Sequence, residues 1–295
     1  MNPSDSTDPV PQSPLIGRYK ILSELGRGGM CAVYLAEDTV LNRKVALKIQ
    51  QCEPRKEEQM RARFIQEGQL AAQLNHPNIC RIYDVVIIND KLVMAMEYMK
   101  GKTLTEYTKA DRLVSERHAV HLVRKIAMAM EYVHQKGLVY LYLTPSTILL
   151  HQLDNVPTIV EPKIMGLQAA RSRSGADDGM SNRSMICGTP TYMPKEQWSG
   201  RETQLGPQCD IYSLGIILYE LLTGKLPYDV DDGEPPTAWF VKIVTQPQIR
   251  PRERKPEINK DLEAIVMRAI TKEATDRYRS MAEFAGALGN WLELK

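Results

Sequence analysis

The sequence predicts an α+β chain in which a small, mostly β lobe is followed by a larger, mostly α-helical lobe. Up to about Met99, short apolar runs are separated by glycine turns, and a single helical segment interrupts them. After Lys100, apolar residues recur at the spacing of one helix face. A length of 295 residues is sufficient for two lobes with a buried core.

The N-terminal part begins with MNPSDSTDPVPQSP, which is polar and proline-rich, so residues 1–15 are predicted to be a disordered tail. VALKI at 45–49 and LVMAMEYM at 92–99 have the composition of strands. The single helix of this part is predicted between about Lys56 and Leu74, just before the turn sequence NHPN.

The C-terminal part contains four strong helical patterns, at 116–137, 210–224, 260–270 and 280–294. The segment at 210–224, DIYSLGIILYELLTG, is apolar nearly all round, which predicts a central helix with Asp210 as its N-cap. GLVYLYLTPSTILL at 137–150 is less clear. Its alternation from Val139 to Leu143 predicts a buried strand, although Gly137 signals a helix end and Thr-Pro-Ser signals a turn.

The composition excludes several classes of function. Charged residues make up 25% of the chain and the net charge is only +2, so no nucleic-acid partner is predicted. No apolar run approaches the roughly 18 residues of a membrane span. The five cysteines are scattered without a C-x-x-C pair, which indicates neither a disulfide framework nor a zinc site and favours a reducing, cytoplasmic setting.

Three features of the N-terminal part are candidates for phosphate binding. LGRGGMCAVYLAED at 25–38 places Gly26, Gly28 and Gly29 between two strand-like runs, where backbone N–H groups could approach phosphate oxygens. The same glycines would also serve an ordinary hairpin. Lys48 in VALKI and Glu67 in the helix have, taken alone, the character of solvated surface residues.

The order of these features resembles the small lobe of protein kinases, and the wording GRGGM…VYLAED is similar to the bacterial serine/threonine kinases. The resemblance extends from about Ile16 to Leu294. It includes a hinge-like MEYMKGKTL, an activation-segment end CGTPTYMPKEQW, the central-helix start DIYSLG, and DRY at 276–278. It implies a bilobal fold with an N-lobe at 16–97, a hinge at 97–100 and a C-lobe at 101–295.

In that family the glycine loop covers the nucleotide phosphates, and the strand lysine holds them while paired with the helix glutamate. Met96 corresponds to the gatekeeper, and Cys31 replaces the third loop glycine. Asp210 corresponds to the residue that braces the catalytic loop, and Arg277 to the ion-pair partner of Glu196. The nucleotide-binding positions implied by the resemblance are Gly26, Gly28, Gly29, Val33, Ala46, Lys48, Glu67, Glu97, Met99 and Leu149.

The catalytic positions depart from the family. Where working kinases have H-R-D-L-K-P-x-N, this chain has YLYLTPST at 140–147. Tyr142 therefore stands at the base position, Thr144 at the lysine, Thr147 at the metal-holding asparagine, and Leu141 at the arginine. Gly166 stands at the magnesium-binding aspartate of D-F-G. No catalytic residue and no metal ligand are predicted, since magnesium prefers carboxylate oxygens.

These departures predict a pseudokinase, a signalling or scaffolding module that binds a protein partner and has little or no phosphoryl transfer. The alternative is a serine/threonine kinase, or another nucleotidyl transferase, working through an unusual constellation. A weak, magnesium-independent ATP site remains open. Two further possibilities stay open: that a carboxylate such as Asp154 or Glu161 substitutes for the lost catalytic aspartate, and that RPRERK at 250–255, otherwise predicted to be a solvated loop, is a docking patch.

Regulation is predicted to depart from the family as well. Leu141 cannot pair with a phosphorylated activation-loop residue, as the family's arginine does. Four serines of the loop remain candidates for phosphorylation by another kinase, and three arginines of the same loop could pair with the resulting phosphates. The serines are Ser172, Ser174, Ser181 and Ser184, and the arginines are Arg171, Arg173 and Arg183.

Overall fold

The computed structural model describes residues 14–27, 31–51, 57–109, 111–153, 156–167, 171–172, 190–198, 205–229 and 234–294. At some of these positions, Glu67 among them, only the backbone is described. The contacts divide the chain into two compact units, residues 1–73 with 81–99, and residues 74–80 with 100–295. They are called here the N-lobe and the C-lobe.

The N-lobe is built on a six-stranded antiparallel sheet with strand order β1-β2-β3-β4-β6-β5. Its strands are β1 Leu15–Ile16, β2 Tyr19–Arg27, β3 Cys31–Asp38, β4 Arg43–Gln51, β5 Ile82–Ile88 and β6 Lys91–Glu97, and its helix is α1 Glu57–Ala72. The predicted strands and the predicted helix are therefore confirmed to within two residues at most ends.

The central strands of the N-lobe sheet carry buried apolar side chains on both faces. Val45, Leu47 and Val93 belong to the cluster on one face. Met94 packs with Phe64 of α1 in the cluster on the other. Because side chains alternate along a strand, residues 46 and 48 lie on the face that α1 covers.

The sequence predicts a disordered tail at residues 1–15, of which the structure describes only residues 14 and 15. Residues 1–13 lie outside the described residues, whereas the carbonyl of Pro14 accepts a hydrogen bond from the N–H of Ile21 at 3.0 Å. Leu15 pairs with Lys20 in the β1–β2 ladder. Residues 14 and 15 thus belong to the edge of the sheet.

The described part of the C-lobe contains seven α-helices and five short strands. The helices are α2 Glu116–Gln135, α3 Lys195–Trp198, α4 Pro207–Thr223, α5 Pro236–Thr245, α6 Pro251–Arg254, α7 Lys260–Ala269 and α8 Met281–Glu293. The strands are β7 Gly101–Thr103, β8 Leu138–Val139, β9 Ile148–Leu153, β10 Val156–Ile164 and β11 Arg171–Ser172. Strands β10, β9 and β7 form one small sheet, and β11 pairs with β8.

Local signals explain where the main helices begin and end. The side chain of Ser115 caps α2 by accepting the N–H of His118 at 3.3 Å, and the side chain of Ser280 caps α8 through the N–H of Glu283. Helix α4 is buried on almost every side, as predicted, and ends at Gly224 in the left-handed conformation at φ +70°. These three helices contact one another and form the centre of the lobe.

Two local predictions for the C-lobe were wrong. Asp210 is not the N-cap of α4, because the helix begins at Pro207 and Gly206 occupies the cap position. The run at 250–255 is not an open loop. Pro251–Arg254 forms a helical turn in which the N–H of Arg252 donates to Glu263 at 2.8 Å, and the Arg250 guanidinium pairs with the same carboxylate at 2.9 Å.

The segment Leu74–Cys80 lies in the C-lobe by its contacts. The N–H of Cys80 donates to the carbonyl of Ile164 at 2.8 Å, and the Asn78 side chain donates to the carbonyl of Pro162 at 2.9 Å. His76 has the predicted turn role, because its Nδ1 accepts the N–H of Asn78. Over the described residues, no helix is both long enough and apolar enough to cross a membrane.

Candidate active site

The N-lobe positions that the sequence assigns to nucleotide binding line up across the sheet. Gly26 pairs with Val33, Val33 with Lys48, and Lys48 with Met94. Residues directly opposite one another in an antiparallel ladder share a face. Val33 and Lys48 therefore project from the face that α1 covers, beside a glycine with no atom within 4 Å of the place where a Cβ would lie.

Ala46 lies one step further along the same face. It pairs with Leu35 on one side and with Met96, the gatekeeper position, on the other. Ala46 is 8% exposed, and Met96 packs against the cluster beneath α1. This part of the sheet presents an apolar surface with one lysine at its edge.

The hinge positions lie at the end of β6. The N–H of Glu97 donates to the carbonyl of Arg81 at 2.8 Å, so the sheet uses that donor. Met99 is buried and is the last residue of the N-lobe unit. Gly28 and Gly29 lie outside the described residues, and for Glu67 the structure gives only the backbone of α1, so an ion pair with Lys48 remains a prediction.

In the C-lobe, Leu149 lies in the middle of β9, where it pairs with Thr103 of β7 and Lys163 of β10. It is half-buried, whereas Ile148 and Leu150 on either side are fully buried. The adenine-facing role that the resemblance implies for Leu149 requires an apolar, partly accessible side chain, which this position supplies.

The catalytic-loop segment is held by Asp210. Its Oδ2 accepts the N–H of Tyr140 at 2.9 Å, and its Oδ1 accepts the N–H of Leu141 at 2.7 Å. His134 Nε2 also lies 2.8 Å from Oδ2. Asp210 is fully buried, so these contacts replace the hydration of its carboxylate. The bracing role implied by the resemblance is confirmed, and the partners lie about 70 residues away from Asp210.

Leu141 stands at the arginine position in a left-handed backbone conformation, with φ of +66°. A non-glycine residue in that region costs about 1–2 kcal/mol. The N–H of Leu141 is held by Asp210, and its carbonyl accepts the Gln197 side chain at 2.9 Å. The side chain is 5% exposed and packs with Val139 and Cys209, so it presents an apolar group where the family presents a charge.

This conformation also explains why the predicted strand at 139–143 was wrong. Only Leu138–Val139 forms a strand, paired with β11. The alternation of apolar residues reflects burial of an irregular loop, since Tyr140, Leu141 and Leu143 are all at most 5% exposed.

Thr144 and Thr147 are engaged with each other in a single turn. The Thr147 hydroxyl donates to the carbonyl of Thr144 at 2.9 Å and accepts the N–H of Thr144 at 3.1 Å. The Thr144 hydroxyl lies 2.8 Å from that of Ser146, and its side chain is buried. The residues at the lysine and asparagine positions thus close a local turn and contribute neither a cation nor a carbonyl ligand.

Tyr142, at the base position, is half-buried and meets Tyr140 edge-on, with ring centroids 6.2 Å apart. Aromatic pairs in this geometry stabilise each other by about 0.5–1.5 kcal/mol. Tyr142 therefore packs against the loop, and no carboxylate occupies the position where the family has its catalytic aspartate.

Tyr140 fills the space that a side chain at position 166 would need. The hydroxyl of Tyr140 donates to the carbonyl of Met165 at 2.7 Å, and burial raises the pKa of this phenol, which keeps it protonated. Gly166 has φ of +78°, and a Cβ added there would lie 2.8 Å from the Tyr140 hydroxyl. Only glycine fits beside Tyr140 in this conformation.

Of the two carboxylates considered as substitutes for the lost catalytic aspartate, the structure describes only Glu161. Asp154 lies outside the described residues. Glu161 forms a two-oxygen ion pair with Lys125 of α2, at 2.6 and 2.8 Å. It therefore serves to join β10 to α2. His118 is exposed and His134 is buried, in keeping with the surface and packing roles predicted for them.

The ion pair implied near the end of the activation segment is present. Arg277 meets Glu196 through two hydrogen bonds of 2.6 and 3.3 Å, and both side chains are buried. The guanidinium also donates to the carbonyls of Gln208, Thr271 and Lys272, which satisfies its three remaining N–H groups. Most of the segment, with Ser174, Ser181 and Ser184, lies outside the described residues.

Sequence reasoning missed the part played by Tyr140 and Gln197. In the sequence Tyr140 belongs to an apolar run, and it also stands at the first position of the degenerate catalytic motif. The signal available was that the chain departs from the family at both 140 and 166. Gln197 carried no sequence signal, because its contact with Leu141 depends on the tertiary fold.

Comparison with known proteins identifies the class. The profile of the protein kinase domain family matches residues 19–285. The chain is 33% identical over 264 residues to the serine/threonine-protein kinase PrkC of Bacillus subtilis, covering 90% of this chain and 39% of that protein. It is 31% identical over 278 residues to PknB of Mycolicibacterium smegmatis, covering 93% of this chain and 43% of that protein. The chain belongs to the protein kinase family.

A solved structure agrees with this assignment. The PknI kinase domain of Mycobacterium tuberculosis superposes with a TM-score of 0.70, covering 95% of this chain and 99% of that domain, at 23% identity. The likeness confirms the predicted bilobal fold, with a β-rich N-lobe and a helical C-lobe. The chain spans less than half the length of the curated relatives named above.

Proposed function

We propose that this chain is a pseudokinase, a protein-kinase domain that acts by binding a protein partner and has little or no phosphoryl transfer. The observation that carries the proposal is the contact between Tyr140 and Gly166. The chain lacks the metal-binding aspartate, and the space that its side chain needs is taken by a buried hydroxyl. The site is repacked around the loss.

The size of the loss supports this proposal. A positioned general base contributes roughly 10²–10⁴-fold to a rate. Metal stabilisation of a transferring phosphoryl group adds several kcal/mol, on the order of another 10³-fold. The two are not additive. Even after heavy discounting, a kinase turnover of ~1–100 s⁻¹ would fall by several decades.

The N-lobe retains features that support nucleotide binding. The apolar face at Val33 and Ala46, with Lys48 beside it, offers a surface for a base and a charge for a phosphate. Cys31 and the missing metal positions weaken the phosphate end. We therefore propose that ATP binds weakly and without magnesium, as a structural ligand.

The second candidate is a serine/threonine kinase that uses an unusual constellation. Two observations favour it. Relatives more than 30% identical over some 90% of the chain carry the name serine/threonine-protein kinase, and the family uses ATP. The buried bracing contacts of Asp210 and the Glu196–Arg277 pair are also kept as in the family.

A transfer assay separates the two candidates. The chain is incubated with radiolabelled ATP, magnesium or manganese, and generic protein substrates, beside a Lys48→Met variant. The pseudokinase proposal predicts no label above that of the variant. Label that requires Lys48 would overturn it and establish the kinase.

A further inference from the structure

A second candidate site lies on the C-lobe, away from the catalytic loop. A cavity of about 430 Å³ opens between the N-terminal half of α2 and strand β10. Leu122 and Val160 provide its apolar floor, and we call it the α2–β10 groove. Its volume lies within the range of ligand sites and suits one or two inserted side chains with their backbone.

The rim of the groove is basic. Arg117, His118 and His121 are exposed on α2 and line it together with Lys125. Positions 118, 121 and 125 fall on one side of a helix, since they are three and four residues apart. Arg117 is held in place by its hydrogen bond to the carbonyl of Leu292 in α8, at 3.2 Å.

The neighbouring acidic groups already have partners. Glu161 pairs with Lys125 through both carboxylate oxygens, which neutralises one charge of each sign. Glu116, at the start of α2, accepts the N–H of Asn259 at 3.1 Å and is not a lining residue, although this contact leaves its negative charge in place. Among the described lining residues this leaves the charge of Arg117, with two imidazoles, to set the potential of the groove.

The positive charges around the groove act on the pKa of His121. Its pKa is lowered, first by partial burial and then by the positive charges of Arg117, His118, Lys125 and Arg124. Burial disfavours a charge of either sign, whereas the part of the shift that comes from the neighbouring cations would stabilise a bound anion. A bound carboxylate would reverse this effect and raise the pKa.

We propose that the α2–β10 groove is a docking site for an extended, acidic segment of a partner protein. In an extended chain, alternate side chains point in opposite directions. One apolar side chain would then enter the cavity against Leu122 and Val160, while flanking glutamates or aspartates reach Arg117, His118 and His121. None of the residues proposed for nucleotide binding lines the groove, so this inference stands whether or not the chain is a kinase.

The test uses a fluorescein-labelled decapeptide of alternating glutamate and leucine, with a second peptide in which glutamine replaces every glutamate. Binding is measured by fluorescence polarisation to the full chain and to His118→Glu/His121→Glu. The matched control is Gln246→Glu/Thr275→Glu, which adds the same charge at two exposed positions elsewhere on the C-lobe. We expect about tenfold or greater weakening for the histidine variant and no change for the control.

Two further readouts belong to the same experiment. In ¹H–¹⁵N spectra of the imidazoles, the pKa of His121 should rise when the acidic peptide is added. Affinity should increase as the pH falls toward the lowered pKa of His121, because protonation of that imidazole adds a positive charge beside the bound carboxylates. The proposal is overturned if the glutamine peptide binds equally well, if both variants weaken binding alike, or if no peptide binds.

Discussion

Replacing Gly166 by aspartate would restore the side chain that the family uses for magnesium, and the structure sets the cost of that change. The residue would have to adopt φ of +78°, and its Cβ would lie 2.8 Å from the Tyr140 hydroxyl. Tyr140 is 1% exposed and cannot swing into solvent. The aspartate must therefore displace a buried ring or distort the turn.

The expected cost is the sum of three effects. The left-handed conformation costs an aspartate about 1 kcal/mol. Crowding in a packed interior costs about 1–3 kcal/mol. Losing the hydrogen bond from Tyr140 to the carbonyl of Met165 costs about 1 kcal/mol. Gly166→Asp should thus lower the free energy of unfolding by about 3–5 kcal/mol, measured by urea denaturation.

The chain offers a matched control at Gly137. This glycine has φ of +75°, and no atom lies within 4 Å of the place where its Cβ would be. Gly137→Asp should therefore show the conformational cost alone, about 1 kcal/mol. The difference between the two variants isolates the contact with Tyr140.

A double-mutant cycle tests the same contact directly. Tyr140→Phe removes the hydroxyl, and the next nearest atom, Cζ, lies at 3.9 Å, an ordinary packing distance. In that background Gly166→Asp should cost only about 1 kcal/mol, which gives a coupling energy of about 2–4 kcal/mol. If the two changes are additive within about 0.5 kcal/mol, the mutual exclusion of Tyr140 and an aspartate at 166 is refuted.

Three further predictions concern other parts of the molecule. Asp210→Ala should destabilise the chain by about 3–5 kcal/mol in urea denaturation, because it leaves buried N–H donors without an acceptor and no longer holds the left-handed Leu141. Asp276→Ala, at an exposed position, should change stability by less than about 0.5 kcal/mol. Equal effects of the two substitutions would contradict the bracing role of Asp210. The pKa of Glu263 is lowered: burial opposes this, but the bonds from Arg252 and Arg250 outweigh it. Stability from this group should be present above the unfolded-state pKa of 4.5 and lost as the pH falls toward the lowered value, so Glu263→Gln should have a flatter acid limb of melting temperature against pH, and an unchanged limb would refute the assignment. ATP should raise the melting temperature equally with and without magnesium, and a strongly magnesium-dependent shift would show that a metal site survives.

The fold was largely predictable because its signals are local. The face of α2, the all-round burial of α4 and the serine caps of α2 and α8 all depend on residues within a few positions of one another. The strand-like runs at 45–49 and 92–99 were likewise recognisable from their apolar composition, whereas the order of the strands in the sheet was not predicted. Such patterns need no knowledge of distant contacts.

The predictions that were wrong concern features that depend on contacts between residues far apart in the sequence. Asp210 has the local character of an N-cap, but its carboxylate is used by donors about 70 residues earlier in the chain. The apolar alternation before the Thr-Pro-Ser turn is shared by strands and by buried loops. Only the contacts at Leu141 decide between them. Likewise, the exclusion between Tyr140 and Gly166 involves residues 26 positions apart that meet only in the folded lobe.

The proposed pseudokinase keeps the frame of the catalytic loop and lacks the side chains that catalyse transfer in the family. The most direct measurement is the rate of phosphate transfer from ATP, followed side by side with the kinase domain of the Bacillus subtilis relative, in the same magnesium buffer. We predict a transfer rate at least ~10⁴-fold below that of the relative, since both the catalytic base and the metal-binding side chains are replaced. A rate within about tenfold of the relative, abolished by Lys48→Met, would contradict it.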